Sequence, residues 1–338
     1  MDRKLPPLQV SPDRVIRTVT GLRPYRASGF VVRSERLAGK TVVHNYGHGG
    51  AGITLSWGTA ELAVEEALKA AATRAAVLGC GAVGLAAARL LQQKGVRVTI
   101  YARELPPGTT SDTAGALWFP TGVYEPGAAE PAFEAQFQRA CRISHRWFRE
   151  LAGEAYGVRW IETFFLHPER PASDDEGLIG GAELYPGLRV LPADGRFTGY
   201  AFAQRFHTFM IEPGPYLAAL LRDFQHAGGE VVVRDLKDTE AIAALPQPLV
   251  LNCTGLGAKA LFGDKELTPI KGQTLLLRPQ PEIDYAYVAL GDFLYMFPRK
   301  EGIVLGGTYQ RGITTTEPEV GETKRILLGH GGIAAGRL

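Results

Sequence analysis

The chain has 338 residues, a formal net charge of +2 and 45% hydrophobic residues. That is enough chain for one large or two interlocked domains with a full core. Near charge balance with no basic block argues against general nucleic-acid binding. Three scattered cysteines, Cys80, Cys141 and Cys253, offer no paired spacing for zinc or a disulfide framework and suit a reducing compartment.

In chain order, the proline-rich and charged first ten residues read as a loose arm. Residues 14–46 hold short β-branched runs broken by Gly and Pro, the pattern of strands joined by turns. Residues 52–72 carry apolar groups near helical spacing with abundant Ala and Glu, which predicts a helix of about 18–20 residues. A buried strand at 75–79, a helix over 82–94 and a strand over 96–102 follow. Residues 130–157 read as a long helical region and 158–200 as mixed strands and turns. A helix at 213–227 is ended by Gly228 and Gly229, and strands dominate from 249 to 310. A final helix is expected from near Glu317 to the end of the chain. No apolar run approaches 18 residues, no secretory signal stands at the start, and "AAGRL" is not a peroxisomal address. The expectation is a cytoplasmic protein without a membrane span.

Two glycine clusters carry the chemistry. "GCGAVG", from Gly79 through Cys80, Gly81, Ala82 and Val83 to Gly84, is G-x-G-x-x-G between an apolar strand and an alanine-rich helix. The first glycine permits a tight turn, the second lets backbone approach a pyrophosphate, and the third lets helix and strand pack closely. The helix N-terminus then presents free N–H groups and partial positive charge to phosphates. An acid is expected about 20 residues on for the ribose. Arg103 stands there with Glu104 beside it, leaving three readings: Glu104 on the ribose, Arg103 on a 2′-phosphate, or a surface ion pair. Thr109, Thr110 and Ser111 either add hydroxyls to a pyrophosphate or simply cap a loop. The second cluster, "HNYGHGGAGIT" at 44–54, places His44 and His48 four apart, but its glycines argue against the helix a metal pair would need, so no metal is expected.

The segment "VVHNYGHGGAGITLSWGTA" at 42–60 resembles the signature of the D-amino-acid oxidase family throughout. "GLRPYR" at 21–26, "IYARE" at 100–104, "TTSDTAGALWFP" at 109–120, "RFHTFMIEPGPYL" at 205–217, "NCTG" at 252–255 and "FLYMFPRKEGIVLGGTYQ" at 293–310 are similar to that family too. The resemblance covers nearly all of the chain after residue 14. It implies an α/β fold: a Rossmann-like FAD-binding domain (residues 41–150 and 204–265) interlocked with a mixed-sheet α+β substrate domain (11–40, 151–203 and 266–338). In the family the nucleotide cradle comes first and the "GLRPYR…HNYGHGG" block last. Here the order is reversed, so the chain resembles a circular permutant, with both clusters serving one FAD.

The resemblance further implies site residues. Arg23 matches a bidentate arginine for the substrate carboxylate, Tyr295 a carboxylate-binding tyrosine, and Gly50 a glycine whose carbonyl accepts from the substrate amine. Besides the cradle, the implied flavin set includes Gly49, Ala51, Gly52, Ile53, Thr54, Gly115, Ala116, Leu117, Leu236, Thr254 and Gly255. The turn at 48–54 would aim N–H groups at the flavin C2 carbonyl and favour negative charge on the reduced ring. The implied reaction is hydride transfer from the substrate Cα to flavin N5. The products would be a 2-oxo acid, ammonia and, with oxygen, hydrogen peroxide. A dehydrogenase using another acceptor, or a flavin-binding protein without turnover, are the alternatives. The family's aromatic lid residue is replaced by Gly291, with Tyr285 or Tyr287 as substitutes. Arg205 or His207 would favour acidic substrates, and a homodimer is compatible with the family.

Overall fold

The computed structural model describes residues 4–335. In chain order the elements are β1 (Val15–Tyr25), β2 (Val31–Leu37), β3 (Lys40–Tyr46), α1 (Ser56–Leu68), β4 (Arg74–Leu78), α2 (Ala82–Gln93), β5 (Arg97–Ala102) and α3 (Pro131–Glu150). Then come β6 (Val158–His167), β7 (Arg189–Pro192), β8 (Phe202–Ile211), α4 (Pro213–His226), β9 (Glu230–Val233), α5 (Thr239–Ala243), β10 (Leu249–Asn252) and α6 (Gly257–Phe262). The last are β11 (Thr268–Leu277), β12 (Tyr285–Ala289), β13 (Leu294–Arg299), β14 (Gly302–Gly306), β15 (Gln310–Arg311) and α7 (Val320–Ala334). The fold is mixed α/β, with two sheets and two compact units.

The first unit comprises the chain through Leu22, Arg159–Glu212 and the chain from Lys271 onward. Its described sheet runs β1-β11-β14-β13-β12-β6-β8-β7, with β15 paired to β11. Alternating apolar residues of β6, β11, β12, β13 and β14 build one core, and Leu5, Leu8, Ile326 and Ile333 join it. The expectation of a loose N-terminal arm is therefore corrected for residues 4–10. Leu5 and Leu8 are buried, Gln9 exchanges two backbone hydrogen bonds with the Gln280 amide, and Pro6 accepts from the Tyr285 hydroxyl. Proline and charge set the composition of that arm, but two leucines decide its position. Residues 1–3 and 336–338, which include part of that arm and of the "AAGRL" end, lie outside the described residues.

The second unit comprises Arg23–Val158 and Pro213–Ile270. Its sheet runs β2-β3-β10-β4-β5-β9, parallel from β3 to β9 with β2 antiparallel at the edge. β4 and β10 are buried along almost their whole length, as strands covered on both faces must be. α1 packs on α2 and α3, and the close α1–α3 approach has a visible cause: a Cβ on Gly58 would stand 2.0 Å from the Ala140 carbonyl oxygen. Trp57 stacks on Trp147 at 4.5 Å between the same two helices. No helix among the described residues is long and apolar enough to cross a membrane.

Candidate functional site: a dinucleotide cradle and its neighbours

The site is built at one edge of the second unit's sheet. β10 lies between β3 and β4 and is parallel to both, with Asn252 opposite His44 on one side and Leu78 on the other. Strands stand about 4.8 Å apart, so the carboxyl ends of β3 and β4 are about 10 Å apart with β10 between them. Three turns leave those ends: residues 47–55, 79–84 and 253–255. The carboxyl edge of a parallel sheet is where α/β proteins bind ligands. Two glycine clusters that are separate in sequence thus open on one crevice.

The cradle has the sterics that its glycines predict. Gly79 has φ +103°, and a Cβ there would meet the Cys253 carbonyl oxygen at 2.6 Å. A Cβ on Gly84 would lie 2.1 Å from the Gly79 carbonyl oxygen, so α2 can approach β4 only because residue 84 has no side chain. The N–H groups of a helix's first turn have no partner inside the helix, and Gly81 offers no side chain to cap them. One of them, Ala82 N–H, donates to Ser111 Oγ at 3.0 Å. A backbone cradle with small residues and first-turn donors fits a pyrophosphate.

The loop after β5 is held by its own hydrogen bonds. Thr109 N–H and Oγ1 both donate to Asp112 Oδ2, at 2.9 and 2.7 Å, and Thr110 O accepts from Thr113 Oγ1. Thr109 therefore caps a short 3-10 turn that begins at Thr110, while Ser111 Oγ accepts from the first turn of α2. Arg103 Nε lies 3.4 Å from Glu104 Oε1 in an exposed pair at the end of β5. Ala116 adopts φ +61° beside Gly115, and Leu117 is buried. The Leu236 side chain packs among Val42, Ala76, Leu78 and Tyr101, which leaves only its backbone for a ligand.

Around the "HNYGHGG" turn, the expected long helix is corrected. α1 begins at Ser56 and ends at Leu68, whereas residues 49–55 form a 3-10 turn followed by tight turns. The Thr54 hydroxyl donates to Ala51 O at 3.1 Å and Ser56 Oγ to Ile53 O at 2.8 Å, so local side-chain bonds compete with helical continuation. Gly49 has φ +57° and faces the Gly122 carbonyl; Gly50 N–H donates to that same oxygen at 3.3 Å. Ala51 is buried and Gly52 is half-buried in helical geometry. The Cβ direction of exposed Gly50 meets Arg23 Cδ at 3.6 Å and Nε at 3.7 Å, and that of Gly255 meets Pro24 at 3.8 Å. Arg23 and Pro24 thus sit between the turns after β3 and β10.

Both histidines of that turn are structural. Asn252 Oδ1 accepts from Thr254 N–H and Oγ1, which leaves its Nδ2 to donate to His44 Nδ1 at 3.0 Å. His44 Nε2 approaches Glu35 Oε1 at 3.1 Å. His48 stacks on Phe30 and donates from Nε2 to Thr59 Oγ1 at 2.9 Å, since that hydroxyl's own proton goes to Leu55 O. Burial pushes the His48 imidazole down to about 3 and also lowers His44. Sequence reasoning missed Asn252 as the residue that fixes the Thr254–Gly255 turn; an Asn two residues before a Thr-Gly turn was the available signal. A polar cavity of about 310 Å³ beside His44, lined by Arg26, Arg33, Glu35 and Asp264, contains none of the cradle residues.

Tyr295 belongs to the first unit, on β13, opposite Gly306 of β14. Its ring is half-buried, stacks on Phe297 at 4.8 Å and lies over Gly306 and Gly307. Neither proposed lid substitute can serve. Tyr285 and Tyr287 point into the core of the first unit, their hydroxyls bound by Pro6 O and His330 Nδ1. Gly291 is an exposed turn residue with nothing near its Cβ direction. Arg205 is paired with Glu162, and His207 lies 3.4 Å from the Pro186 carbonyl. That pairing removes the simple electrostatic argument for acidic substrates.

Fold and cradle together define a dinucleotide-binding α/β protein whose second sheet holds its ligand turns at the carboxyl edge. Matching of residues 2–66 and 74–328 to the model for FAD dependent oxidoreductases places the chain in that family, and its cofactor is FAD. The chain is 33% identical over 260 residues, 75% of either protein, to a D-amino-acid oxidase of Rubrobacter xylanophilus. It is 28% identical over 270 residues to the human D-aspartate oxidase, covering 75% of this chain and 74% of that one. Among solved structures, glycine oxidase from Geobacillus kaustophilus has a similar fold, with TM-score 0.59 at 17% identity over 77% of this chain and 78% of that one.

Proposed function

We propose that the chain oxidises D-amino acids, consuming oxygen and water and releasing 2-oxo acids, ammonia and hydrogen peroxide. The observation that carries this reading is the placement of Arg23 against Gly50 at the edge where the cradle also opens. Bound FAD supplies a two-electron acceptor that oxygen can reoxidise. The chain's task is to hold FAD and present the substrate. Gly79, Cys80, Gly81, Ala82, Val83, Gly84 and Ser111 would hold the pyrophosphate, with Thr254 and Gly255 beside them. Gly49, Ala51, Gly52, Ile53 and Thr54 would lie along the ring, and Gly115, Ala116 and Leu117 would supply further backbone.

Arg23 carries a planar fork of donors that matches a carboxylate in two places at once, which lysine cannot do. The Gly50 carbonyl is suited to accept from the substrate amine, and Tyr295 is a phenol donor for the carboxylate. Orientation of this kind lowers a barrier without any acid or base acting on the Cα–H. An anaerobic screen of the yellow holoenzyme against D- and L-amino acids, glycine and sarcosine tests the reading. Bleaching by D-amino acids, with peroxide on admitting air, supports it; bleaching by L-enantiomers alone, or by nothing, overturns it. Bleaching without peroxide favours a dehydrogenase.

We also infer that the chain is circularly permuted relative to its family. The relatives' alignments stop at about three quarters of both partners, and the family model matches in two separate stretches. Leu5 and Leu8 share one core cluster with Ile326 and Ile333, so the two ends of the described chain pack together. Neighbouring ends are what a permutation requires. A relinked gene opened at residues 70–73 should give an active, yellow enzyme; an insoluble product with a linker of any length would refute the inference.

A further inference from the structure

In the first unit, α7 closes on the β13–β14 hairpin at Gly329, where a Cβ would stand 2.5 Å from Leu294 Cδ1. That approach buries His330 completely. Its Nε2 is 2.8 Å from the Gly306 carbonyl oxygen and its Nδ1 is 2.6 Å from the Tyr287 hydroxyl. A carbonyl only accepts, so Nε2 carries the proton and Nδ1 of the neutral ring accepts from the phenol. One turn earlier, Arg325 donates to the Gly307 carbonyl, and Gly307 N–H donates to Phe293 O at 2.8 Å. The Gly306–Gly307 segment is therefore pinned from α7 and from the start of β13.

That segment is the bed on which Tyr295 lies. Cβ atoms on Gly306 and Gly307 would stand 2.0 and 2.5 Å from the Tyr295 ring and 2.5 and 2.7 Å from its hydroxyl. Phe297 stacks on the same ring. The height of the phenol is set by where the two glycines sit, and their position is set by α7.

We propose that His330, assisted by Arg325, is a positioning residue for Tyr295, fixing the phenol through the Gly306–Gly307 backbone. This rests on the reading of Tyr295 as a ligand of the substrate carboxylate. A displacement of about 1 Å at such a group is enough to cost on the order of a hundredfold in rate, and a binding group displaced in this way shows first in KM.

The experiment measures KM, kcat, flavin occupancy and the visible spectrum of the holoenzymes His330→Leu, His330→Gln, Tyr295→Phe and the His330→Leu/Tyr295→Phe double variant. Expected are a KM about tenfold higher for His330→Leu, kcat within threefold and flavin occupancy unchanged. His330→Gln, whose amide still reaches Gly306 O, should recover most of the KM. In the Tyr295→Phe background His330→Leu should raise KM no further. An unchanged KM in His330→Leu, or the same increase with and without the phenol, overturns the positioning role. A Tyr295→Phe enzyme with normal KM instead overturns the carboxylate reading and removes this inference with it. If His330→Leu does not fold, Arg325→Met, at a partly exposed site, removes the Gly307 anchor; unchanged KM there counts equally against the proposal.

Discussion

Replacing Gly84 by Ala tests the cradle most directly. The new Cβ would begin 2.1 Å from the Gly79 carbonyl oxygen, where ordinary contact starts at 3.4 Å. Relief requires α2 and the Gly79 turn to separate by about 1.3 Å, and neither is a flexible side-chain end that could swing away. Overpacking of this size costs about 1–3 kcal/mol. At 2–4 °C per kcal/mol for a unit of this size, a 2 kcal/mol loss lowers Tm by about 4–8 °C. The same separation pulls the first-turn N–H groups away from the pyrophosphate, so FAD should bind at least tenfold more weakly in a fluorescence titration. Gly332→Ala is the matched control: it is exposed inside helix α7 with nothing within 4 Å of its Cβ direction, and should leave FAD affinity unchanged while stabilising slightly. A Gly84→Ala protein with normal Tm and normal FAD affinity would show that the helix and the turn are not in the contact described.

Arg23→Leu should lower kcat/KM by about a hundredfold while the purified protein stays yellow; steady-state kinetics showing wild-type values would remove its carboxylate role. Buried His48 and His330 are held neutral, at about 3 and about 4, so the unfolded chain binds protons that the native chain refuses. Their contribution to stability is present above about pH 6.5 and is lost as pH falls toward those values, at about 2 kcal/mol each by pH 5. Denaturant melts between pH 7.5 and 5 should show this, and His48→Gln should flatten the slope; an unchanged slope in that variant contradicts the assignment. Asn252→Leu should destabilise by about 1–3 kcal/mol, because Thr254 N–H and His44 Nδ1 both lose a buried partner. A Tm within 1 °C of wild type would refute that accounting.

The cradle was legible because every requirement there is a local absence of side chain: three glycines at fixed spacing, each answered by a nearby carbonyl or hydroxyl. The boundaries of α2 and β5 follow equally well from periodicity. The start of α1 did not, because Thr54 and Ser56 side chains bond to backbone that a helix would otherwise use. Tyr285 and Tyr287 read as lid substitutes since nothing in a five-residue apolar run says which neighbours will bury it. His330 was silent for the same reason: its meaning comes from Gly306 and Tyr287, which only the fold brings beside it. Composition misleads at the N-terminal arm because it counts prolines and charges equally, whereas two leucines in a core outweigh them.

The register of the second sheet also constrains how the molecule can be made. β3 and β4 are synthesised early, yet each takes as its neighbour β10, which leaves the ribosome much later. At about 5–20 residues per second, both strands wait many seconds with an edge of unpaired backbone N–H and C=O groups before Leu249–Asn252 arrives to fill the slot. A nascent chain in that state is a substrate for holdase chaperones and for edge-to-edge association, and its expression yield should respond to translation speed between residues 78 and 252 more than to any later stretch.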